Sequence, residues 1–473
     1  VVYNPLPWAR DGLVELNTSY YPQTSGVRAA DNDHRALFAR SEAEAREGPG
    51  KIVGFVAKNV PPMGYRTYVF ENVPAETAGL VLSEKDNRIE SPYFKAVLDP
   101  AKGRIASLID QRTGRELVDA AAPQGFGQYF YERFGRKDVV AYLDAALYPQ
   151  YQAHRFIMAK PDVPDVPYES GLPKEMKVRF EKTPVAVSAV LYGPMLGPGP
   201  VQNVAVKLTL YAEMPVADIE VRCDKPLDAW PQAGWMCLPL NLARPRFRLG
   251  KLGGDLDPIK DITIDNANYR QMWINTGVAV YDASGYGVGL CPLDSPLVSL
   301  GEPGSHKFDS RYEPKAARVY FNLYNTHWQT NFSSWTGGRT ASRVRLWTFE
   351  KFQPESALLT PSMEARVPLR AARSRARPGH LPATQAGLVL SRKGVMVTAF
   401  GEDPDGGPGT LLRLWEQSGT SGGLAVTLPA GLKAATATPV NLRGEQIGPP
   451  LPVTNNTLQI NLAAYSPASF VLK

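Results

Sequence analysis

Apolar and polar residues alternate along most of this chain, and no other feature constrains its fold as strongly. The stretch VAVKLTLYAEM (Val204 to Met214) alternates in this way, and so does LQINL (Leu458 to Leu462). A period of two places successive side chains on opposite faces of a strand. Short strand-like runs recur about every ten residues between glycine- and proline-rich turns, which is typical of sandwiches and barrels. The sequence therefore predicts an all-β protein.

Turn and helix signals agree with this class. The stretch TGVAVYDASGYGVGLC (Thr276 to Cys291) predicts two strands joined by a tight turn at Asp282 to Gly285. The best helix candidate is DNDHRALFARSEAEAREG (Asp31 to Gly48), which is polar on most faces and is equally compatible with a surface loop. Because no repeat of about 40 residues is present, sandwiches are favoured over a propeller.

Breaks in composition divide the 473-residue chain into three units. We expect a small β-sandwich domain over residues 1–73, a large β-domain over 74–368, a linker over 369–381 and a C-terminal β-sandwich domain over 382–473. A run of arginines at the linker could contact an anionic partner such as nucleic acid. Because the run is short, flanked by proline and without interleaved aromatic residues, a solvated linker is favoured and no nucleic-acid partner is expected. These arginines are Arg366, Arg370, Arg373, Arg375 and Arg377.

Familiar catalytic and metal-binding motifs do not occur in the sequence. It has no GxSxG, HExxH, P-loop or strand-borne GxGxxG pattern, and its five histidines lack metal-ligand spacing. The cysteines are Cys223, Cys237 and Cys291. Cys223 and Cys237 could pair in an oxidising compartment, but buried free thiols are favoured. No apolar run reaches the about 18 residues of a membrane-spanning helix, so no membrane partner is expected.

Two aromatic segments are the strongest candidates for ligand contact. The segment QGFGQYFYERFG (Gln124 to Gly135) would, as a strand, place Tyr129 and Tyr131 on the face opposite Phe130. The segment YNTHWQTNFSSWTGG (Tyr324 to Gly338) mixes aromatic rings with amide and hydroxyl groups. Rings stack on the apolar face of a pyranose while polar groups bind its hydroxyls, but half-buried strands carry the same residues. Composition alone leaves a carbohydrate groove and the wall of a sandwich equally open.

Several segments resemble the C-terminal β-region of glycoside hydrolase family 38, the α-mannosidases. The opening VVYNPLPWARDGLVEL is similar to that family's Asn-Pro-Leu-x-Trp-x-Arg pattern, with Asn4, Pro5, Leu6, Trp8 and Arg10 in the matching positions. The stretch NRIESPYFKAVLDPAKGRIASLIDQRTGRELVD resembles the opening of the family's large β-domain, and LQINLAAYSPASFVLK resembles its terminal sandwich. The two aromatic segments resemble family segments that approach the substrate.

The resemblance implies a galactose-mutarotase-like supersandwich flanked by smaller β-sandwich domains. It also implies that the zinc ion, its ligands and the nucleophile belong to an N-terminal catalytic domain whose motifs this chain lacks. We therefore expect a non-catalytic β-region that shapes a carbohydrate groove beside that missing domain, with no cofactor, metal ligand or catalytic residue of its own. The candidate substrate-binding residues are Tyr129, Tyr131, Asp294, Asn325, His327, Trp328, Asn331 and Trp335.

Two other functions remain open. A self-contained mutarotase-like epimerase or lyase could use His327 as an acid–base group with Glu132 or Asp294 as the carboxylate, although Asp294 also fits a turn cap. A carbohydrate-binding module would need only the aromatic rings. Because the chain starts at Val1 without a methionine or a signal-peptide pattern, we expect it to derive from a longer protein, and its compartment stays open.

Overall fold

The structure is a computed structural model. It describes the chain except for residues 19–25, 33–34, 46–47, 72–78, 156–158, 263–265, 330–332, 375–378 and 404–405. Nearly all regular structure in the described residues is β, which confirms the predicted fold class. The described strands form seven sheets around three main apolar cores, which we call the N-terminal, central and C-terminal units.

The strands follow one another in chain order. In the N-terminal unit they are β1 (Val2–Tyr3), β2 (Arg10–Thr18), β3 (Gly26–Ala29), β4 (Arg35–Ala36), β5 (Phe38–Ala45), β6 (Gly48–Val60), β7 (Tyr65–Arg66) and β8 (Tyr68–Glu71). In the central unit they are β9 (Val81–Ser83), β10 (Arg88–Glu90), β11 (Phe94–Asp99), β12 (Arg104–Asp110), β13 (Arg115–Glu116), β14 (Gln128–Arg133), β15 (Glu169–Gly171), β16 (Lys177–Lys182), β17 (Ala186–Met195), β18 (Gln202–Tyr211), β19 (Val216–Asp228), β20 (Gln232–Pro239), β21 (Arg246–Lys251), β22 (Gly254–Leu256), β23 (Met272–Trp273), β24 (Val278–Tyr281), β25 (Gly287–Pro292), β26 (Leu297–Leu300), β27 (Arg318–Asn325) and β28 (Thr336–Phe349). The remaining strands are β29 (Arg370–Ala371), β30 (Thr384–Gln385), β31 (Val389–Leu390), β32 (Val395–Glu402), β33 (Thr410–Glu416), β34 (Gly422–Thr427), β35 (Thr436–Val440), β36 (Leu451–Thr454), β37 (Thr457–Leu462) and β38 (Pro467–Leu472).

Helical structure is confined to short segments. Helix α1 spans Arg136–Ala146 and helix α2 spans Thr360–Arg366. A 3-10 turn covers Pro149–His154, and a π-helical turn, Pro354–Leu359, leads into α2. No helix in the described part of the chain is long and apolar enough to cross a lipid bilayer. All three cysteines are buried free thiols, as predicted.

Two large antiparallel sheets pack face to face to form the central unit. The nine-stranded sheet has the order β16-β17-β18-β19-β28-β25-β24-β21-β22, and the six-stranded sheet has the order β15-β14-β20-β27-β26-β23. The predicted alternation holds along β28, where Val344 and Leu346 enter the shared core while Arg343 and Arg345 point away from it. A five-stranded sheet, β13-β12-β11-β10-β9, adds further apolar side chains to the same core. The result is a supersandwich with two outward faces.

The helix expected over Asp31 to Gly48 is absent, and that prediction is wrong. The segment forms β4 and β5 instead, and β5 pairs with β6 from Phe38 opposite Phe55 to Ala45 opposite Gly48. The buried side chain of Phe38 joins a small core of valine, alanine and phenylalanine residues in the N-terminal unit. Strand pairing and this burial prevail over the local helix propensity of the alanine- and glutamate-rich stretch.

The predicted linker over residues 369–381 is partly built into a sheet. Leu369 is buried in the N-terminal core, and β29 pairs with β1. Strand β30, from the predicted C-terminal domain, pairs with β7. The four-stranded sheet β29-β1-β7-β30 thus combines segments from both ends of the chain, because short strands near residues 2 and 65 need partners that their own neighbourhood does not supply.

Asn4 organises the turn that begins the chain. Its buried side-chain amide donates from Nδ2 to the carbonyl oxygens of Trp8 (2.7 Å) and Val60 (3.1 Å). Its Oδ1 accepts from the backbone N–H of Leu6 (3.1 Å) and from Nε of Arg10 (2.9 Å). One side chain therefore satisfies four groups that would otherwise be buried without partners.

Trp8 and Arg10 then join this turn to helix α2. The indole Nε1 of Trp8 donates to Oε1 of Glu364 at 2.8 Å, and Nη2 of Arg10 donates to the carbonyl oxygen of Val367 at 2.6 Å. The opening motif, which carries the family resemblance, is in this structure a clamp between the N-terminal unit and the end of the central unit.

Replacing Asn4 with alanine tests this clamp. We expect Asn4→Ala to lower the free energy of unfolding by about 3 kcal/mol, because it leaves several buried polar groups without partners. Urea denaturation followed by far-UV circular dichroism measures the change. The matched control is Asn203→Ala, at an exposed position of β18, which should change stability by less than about 0.5 kcal/mol. Equal effects of the two substitutions would contradict the clamp.

Candidate functional site

The six-stranded sheet is buried on both faces, and its outer face carries the candidate site. Strand β14 lies beside β20, with Phe130 opposite Trp235, and β20 lies beside β27. Phe130, Trp235 and Tyr320 point outward and form a second apolar cluster. Helix α1 covers that cluster with Val139 and Leu143, which are four residues apart and so share one helix face.

Tyr129 and Tyr131 lie on the inner face, in the core of the sandwich. The hydroxyl of Tyr129 donates to Oε1 of Gln202 at 2.7 Å and lies 2.6 Å from the hydroxyl of Tyr324. The hydroxyl of Tyr131 donates to Oε1 of Gln232 at 2.6 Å. Neither tyrosine is exposed, so the structure places both hydroxyl groups inside the core and not on a surface. The strand register turns both rings toward the opposite sheet, where they form part of the sandwich core and line no groove.

Glu132 is a buried carboxylate beside the cluster on the outer face. It is 2% exposed, and it accepts hydrogen bonds from Nε1 of Trp235 (2.7 Å) and from the hydroxyl of Tyr168 (2.9 Å). Burial raises the pKa of Glu132 to about 7 despite these two donors. The carboxyl group therefore changes charge near neutral pH.

Two histidines stack beside this cluster. The ring centroids of His306 and His327 are 4.3 Å apart with an interplanar angle of 26°. Phe134 lies 4.3 Å from the ring of His306, and Tyr142 of α1 meets the ring of His327 edge-on at 4.6 Å. His306 is 6% exposed, and its Nε2 has no hydrogen-bond partner among the described residues. Burial, followed by repulsion from His327 and Lys160, holds the pKa of His306 well below its usual range, so this ring is neutral at pH 7.

The imidazole pair does not fit a metal ion. Nitrogen lone pairs lie in the plane of an imidazole ring, so two nearly parallel rings direct them side by side and not at a common point. Among the described residues no group of three or more histidine, cysteine, aspartate or glutamate side chains could hold a metal. No chemical step at this site is therefore assigned to zinc.

Trp328 and Trp335 lie between β27 and β28, and both indole rings are partly exposed. Their exposed fractions are 39% and 51%, and the ring of Trp328 lies 5.7 Å from that of His327. Two buried lysines hold the backbone on either side of Trp335. Nζ of Lys160 donates to the carbonyl oxygen of Ser334, and Nζ of Lys225 donates to that of Thr336. Hydrogen bonds from buried lysines thus fix the backbone on both sides of Trp335, the more exposed of the two tryptophans.

The remaining predicted site residues are Asn325, Asn331 and Asp294, and they do not lie together. Asn325 closes the turn before His327: its Nδ2 donates to Oδ1 of Asn322 at 2.9 Å, and its Oδ1 accepts from the backbone N–H of His327 at 3.4 Å. Asn331 lies outside the described residues. Asp294 is not near this group, because it forms a two-pronged ion pair with Arg343 on the outer face of the other sheet, with both N–O distances 2.9 Å.

The structure adds side chains that the sequence did not single out for this site. Tyr142 comes from α1, Lys160 and Tyr168 come from the segment before β15, and His306 comes from the loop after β26, so they carry no shared motif. His306 is 21 positions from His327, so no short sequence motif links the two rings. The backbone of His306 has a positive φ of 53°, which the local sequence does not predict. The sequence named Glu132 as a possible carboxylate, but only the strand register shows that it is buried beneath α1.

The pH dependence of stability tests the placement of Glu132. The folded pKa of about 7 exceeds the unfolded value of 4.5, so the folded state holds the proton more tightly. This contribution is complete below about pH 4.5 and is lost as pH rises through 7. Glu132→Gln keeps the size of the side chain and stays neutral. We expect the stability of the natural protein relative to this variant to fall by about 3 kcal/mol between pH 4.5 and 8.5. Urea unfolding at each pH measures it, and a constant difference would contradict the buried carboxyl.

Comparisons with known proteins support the fold and not a sequence family. No family model and no curated protein matches the sequence. An alpha-mannosidase from Enterococcus faecalis V583 aligns with a TM-score of 0.67 and 10% identity over 100% of this chain and 55% of that one. A protein in glycosyl hydrolase family 38 from Enterococcus faecalis gives the same score and identity and is covered over 57% of its length.

A weaker likeness involves a putative aldose 1-epimerase from Escherichia coli K12. It covers 57% of this chain and all of its own at 10% identity with a TM-score of 0.32, which is too low to support a conclusion. This chain spans a little over half the length of the two Enterococcus proteins. The alignments cover all of this chain and part of each Enterococcus protein, and at 10% identity they show a shared fold.

Proposed function

We propose that this chain is the non-catalytic β-region of a family-38-like glycosidase and shapes a carbohydrate groove beside a catalytic domain that it does not contain. The observation that carries the proposal is the alignment of the whole chain with 55% of an alpha-mannosidase. At 10% identity this supports a common fold, and the activity of the longer protein is inferred from it.

The groove would be formed beyond the end of β27, where the chain crosses to β28. Half-exposed Trp328 and Trp335 offer flat apolar faces to the C–H side of a pyranose. The imidazole of His327 packs beside Trp328. The lysine contacts on either side of Trp335 reduce the conformational freedom that binding would otherwise have to restrict.

A second candidate is a self-contained epimerase or lyase, and the near-neutral pKa of Glu132 is the observation in its favour. Glu132 is hydrogen-bonded to Tyr168, whose ring contacts that of Phe134. The ring of Phe134 contacts His306, which in turn stacks on His327. Glu132 is therefore not hydrogen-bonded to either imidazole. A direct proton transfer between them would require rearrangement of a buried cluster, so we rank this candidate second.

Turnover assays separate the two candidates. We expect the purified chain to release no nitrophenol from p-nitrophenyl α-mannoside and to leave the rate of galactose mutarotation, followed by polarimetry, at the uncatalysed value. Mannoside cleavage that tracks the protein through purification would contradict a non-catalytic role. Accelerated mutarotation that Glu132→Gln abolishes would establish the second candidate instead.

Binding to immobilised mannose-rich glycans tests the groove. We expect Trp335→Ala and Trp328→Ala each to weaken binding about fivefold, because each removes one stacking surface worth roughly 1 kcal/mol. Trp273→Ala is the matched control, since this tryptophan is 46% exposed but lies on edge strand β23, where Lys251 packs on its ring at 4.2 Å. Equal losses for all three variants, or melting temperatures that fall with binding, would contradict the groove.

A further inference from the structure

A second cavity lies on the opposite side of the supersandwich, between its outer face and the N-terminal unit. Its volume is about 1140 Å³, which is at the upper end of the size usual for ligand pockets. Thr209, Asp218 and Arg345, from β18, β19 and β28 of the nine-stranded sheet, form its floor. Glu15 of β2 lines the facing wall. We call this cavity the interdomain cleft.

The walls of the cleft are fastened to each other at two places. On one side the Arg10 guanidinium holds the carbonyl oxygen of Val367 at 2.6 Å. At another point Nζ of Lys58, on β6, donates to the carbonyl oxygen of Glu213 at 3.4 Å, and its ammonium group lies 3.9 Å from the Glu213 carboxylate. The cleft is therefore formed without a ligand, which lowers the cost of binding one.

The polar groups of the floor are organised across neighbouring strands. Asp218 accepts from Nε and Nη2 of Arg345, both at 2.7 Å, and from the hydroxyl of Tyr211 at 2.6 Å. Lys207 pairs with Glu181 at 3.1 Å. These contacts fix donors and acceptors in an alternating pattern on a rigid sheet.

The charges that line the cleft balance. Seven arginine or lysine side chains and seven aspartate or glutamate side chains contribute to the lining, although the chain as a whole carries a net charge of +6. A ligand with net charge would meet as many like charges as opposite ones. A neutral ligand with many hydroxyl groups can instead donate to the carboxylates and accept from the guanidinium and ammonium groups.

Glu15 is an acceptor that the cleft leaves available. No hydrogen bond or ion pair joins it to another described residue. Partial shielding from water by the cleft, and then the nearby charge of Asp218, raise its pKa above the usual value. A hydroxyl group brought within reach would be a partner that this carboxyl group lacks.

We propose that the interdomain cleft is a second binding site, which takes an uncharged, polyhydroxylated ligand of the oligosaccharide class. The two outer faces of the supersandwich carry different surfaces, so this site is separate from the tryptophan groove and goes beyond the function proposed above. Recognition here would rest on fixed hydrogen-bonding groups, whereas the groove presents aromatic rings.

Isothermal titration with mannotriose as the neutral probe and trimannuronate as its charged counterpart tests the site. The titrations use Trp335→Ala, so that the groove contributes little. We expect mannotriose to bind the Trp335→Ala variant. Adding Thr209→Trp should abolish binding because the indole fills the cleft, and adding Glu15→Gln with Lys207→Gln should weaken binding about tenfold or more.

Glu84→Gln with Lys102→Gln, at two exposed turn positions, is the matched control and should leave the affinity unchanged. Thermal melting confirms that each variant is folded.

Each outcome decides the proposal. No binding of mannotriose in the Trp335→Ala background, or binding that persists in Thr209→Trp, would overturn it. Tighter binding of trimannuronate than of mannotriose would overturn the neutral ligand class. Glycan binding by the natural protein that disappears with Trp335→Ala would leave the tryptophan groove standing and remove the second site.

Discussion

Burial of the six-stranded sheet on both faces is the constraint on which the rest of the central unit depends. A strand such as β14 has no solvent face on which to place polar atoms, so the hydroxyl of Tyr129 and the carboxyl group of Glu132 must find partners inside the protein. They do so on opposite sides, through Gln202 and through Trp235 with Tyr168. The inner contact joins the two sheets, and the outer contacts bury a titratable group against the second apolar cluster.

Period-two patterning carried most of the fold information in the sequence. It specified the β class and the hairpin from β24 to β25, because alternation reports directly on which face is buried. It could not assign Tyr129 and Tyr131 to the correct side of their sheet. In a sheet covered on both faces, both sets of side chains are apolar or aromatic, so the sequence pattern does not distinguish the inner face from the outer one.

The candidate site was predictable only in part, for a similar reason. Trp328 and Trp335 stand out in sequence as aromatic residues among polar ones, and the structure leaves both partly exposed. His306 reaches His327 only because a loop after β26 returns to the end of β27. The helix expected over Asp31 to Gly48 failed because pairing with β6, a contact between strands, outweighed local preference. Contacts of this kind are set by the tertiary arrangement and leave no short-range signature.

The four-stranded sheet that joins the two ends of the chain has a consequence for biosynthesis. Strands β1 and β7 are made some 300 residues before β29 and β30. At a translation rate of about 5 to 20 residues per second, the earlier strands wait at least about 15 seconds for their partners. During that interval their edges are open to other chains. Chaperones that bind nascent chains would therefore act on β1 and β7 before the central sandwich is complete.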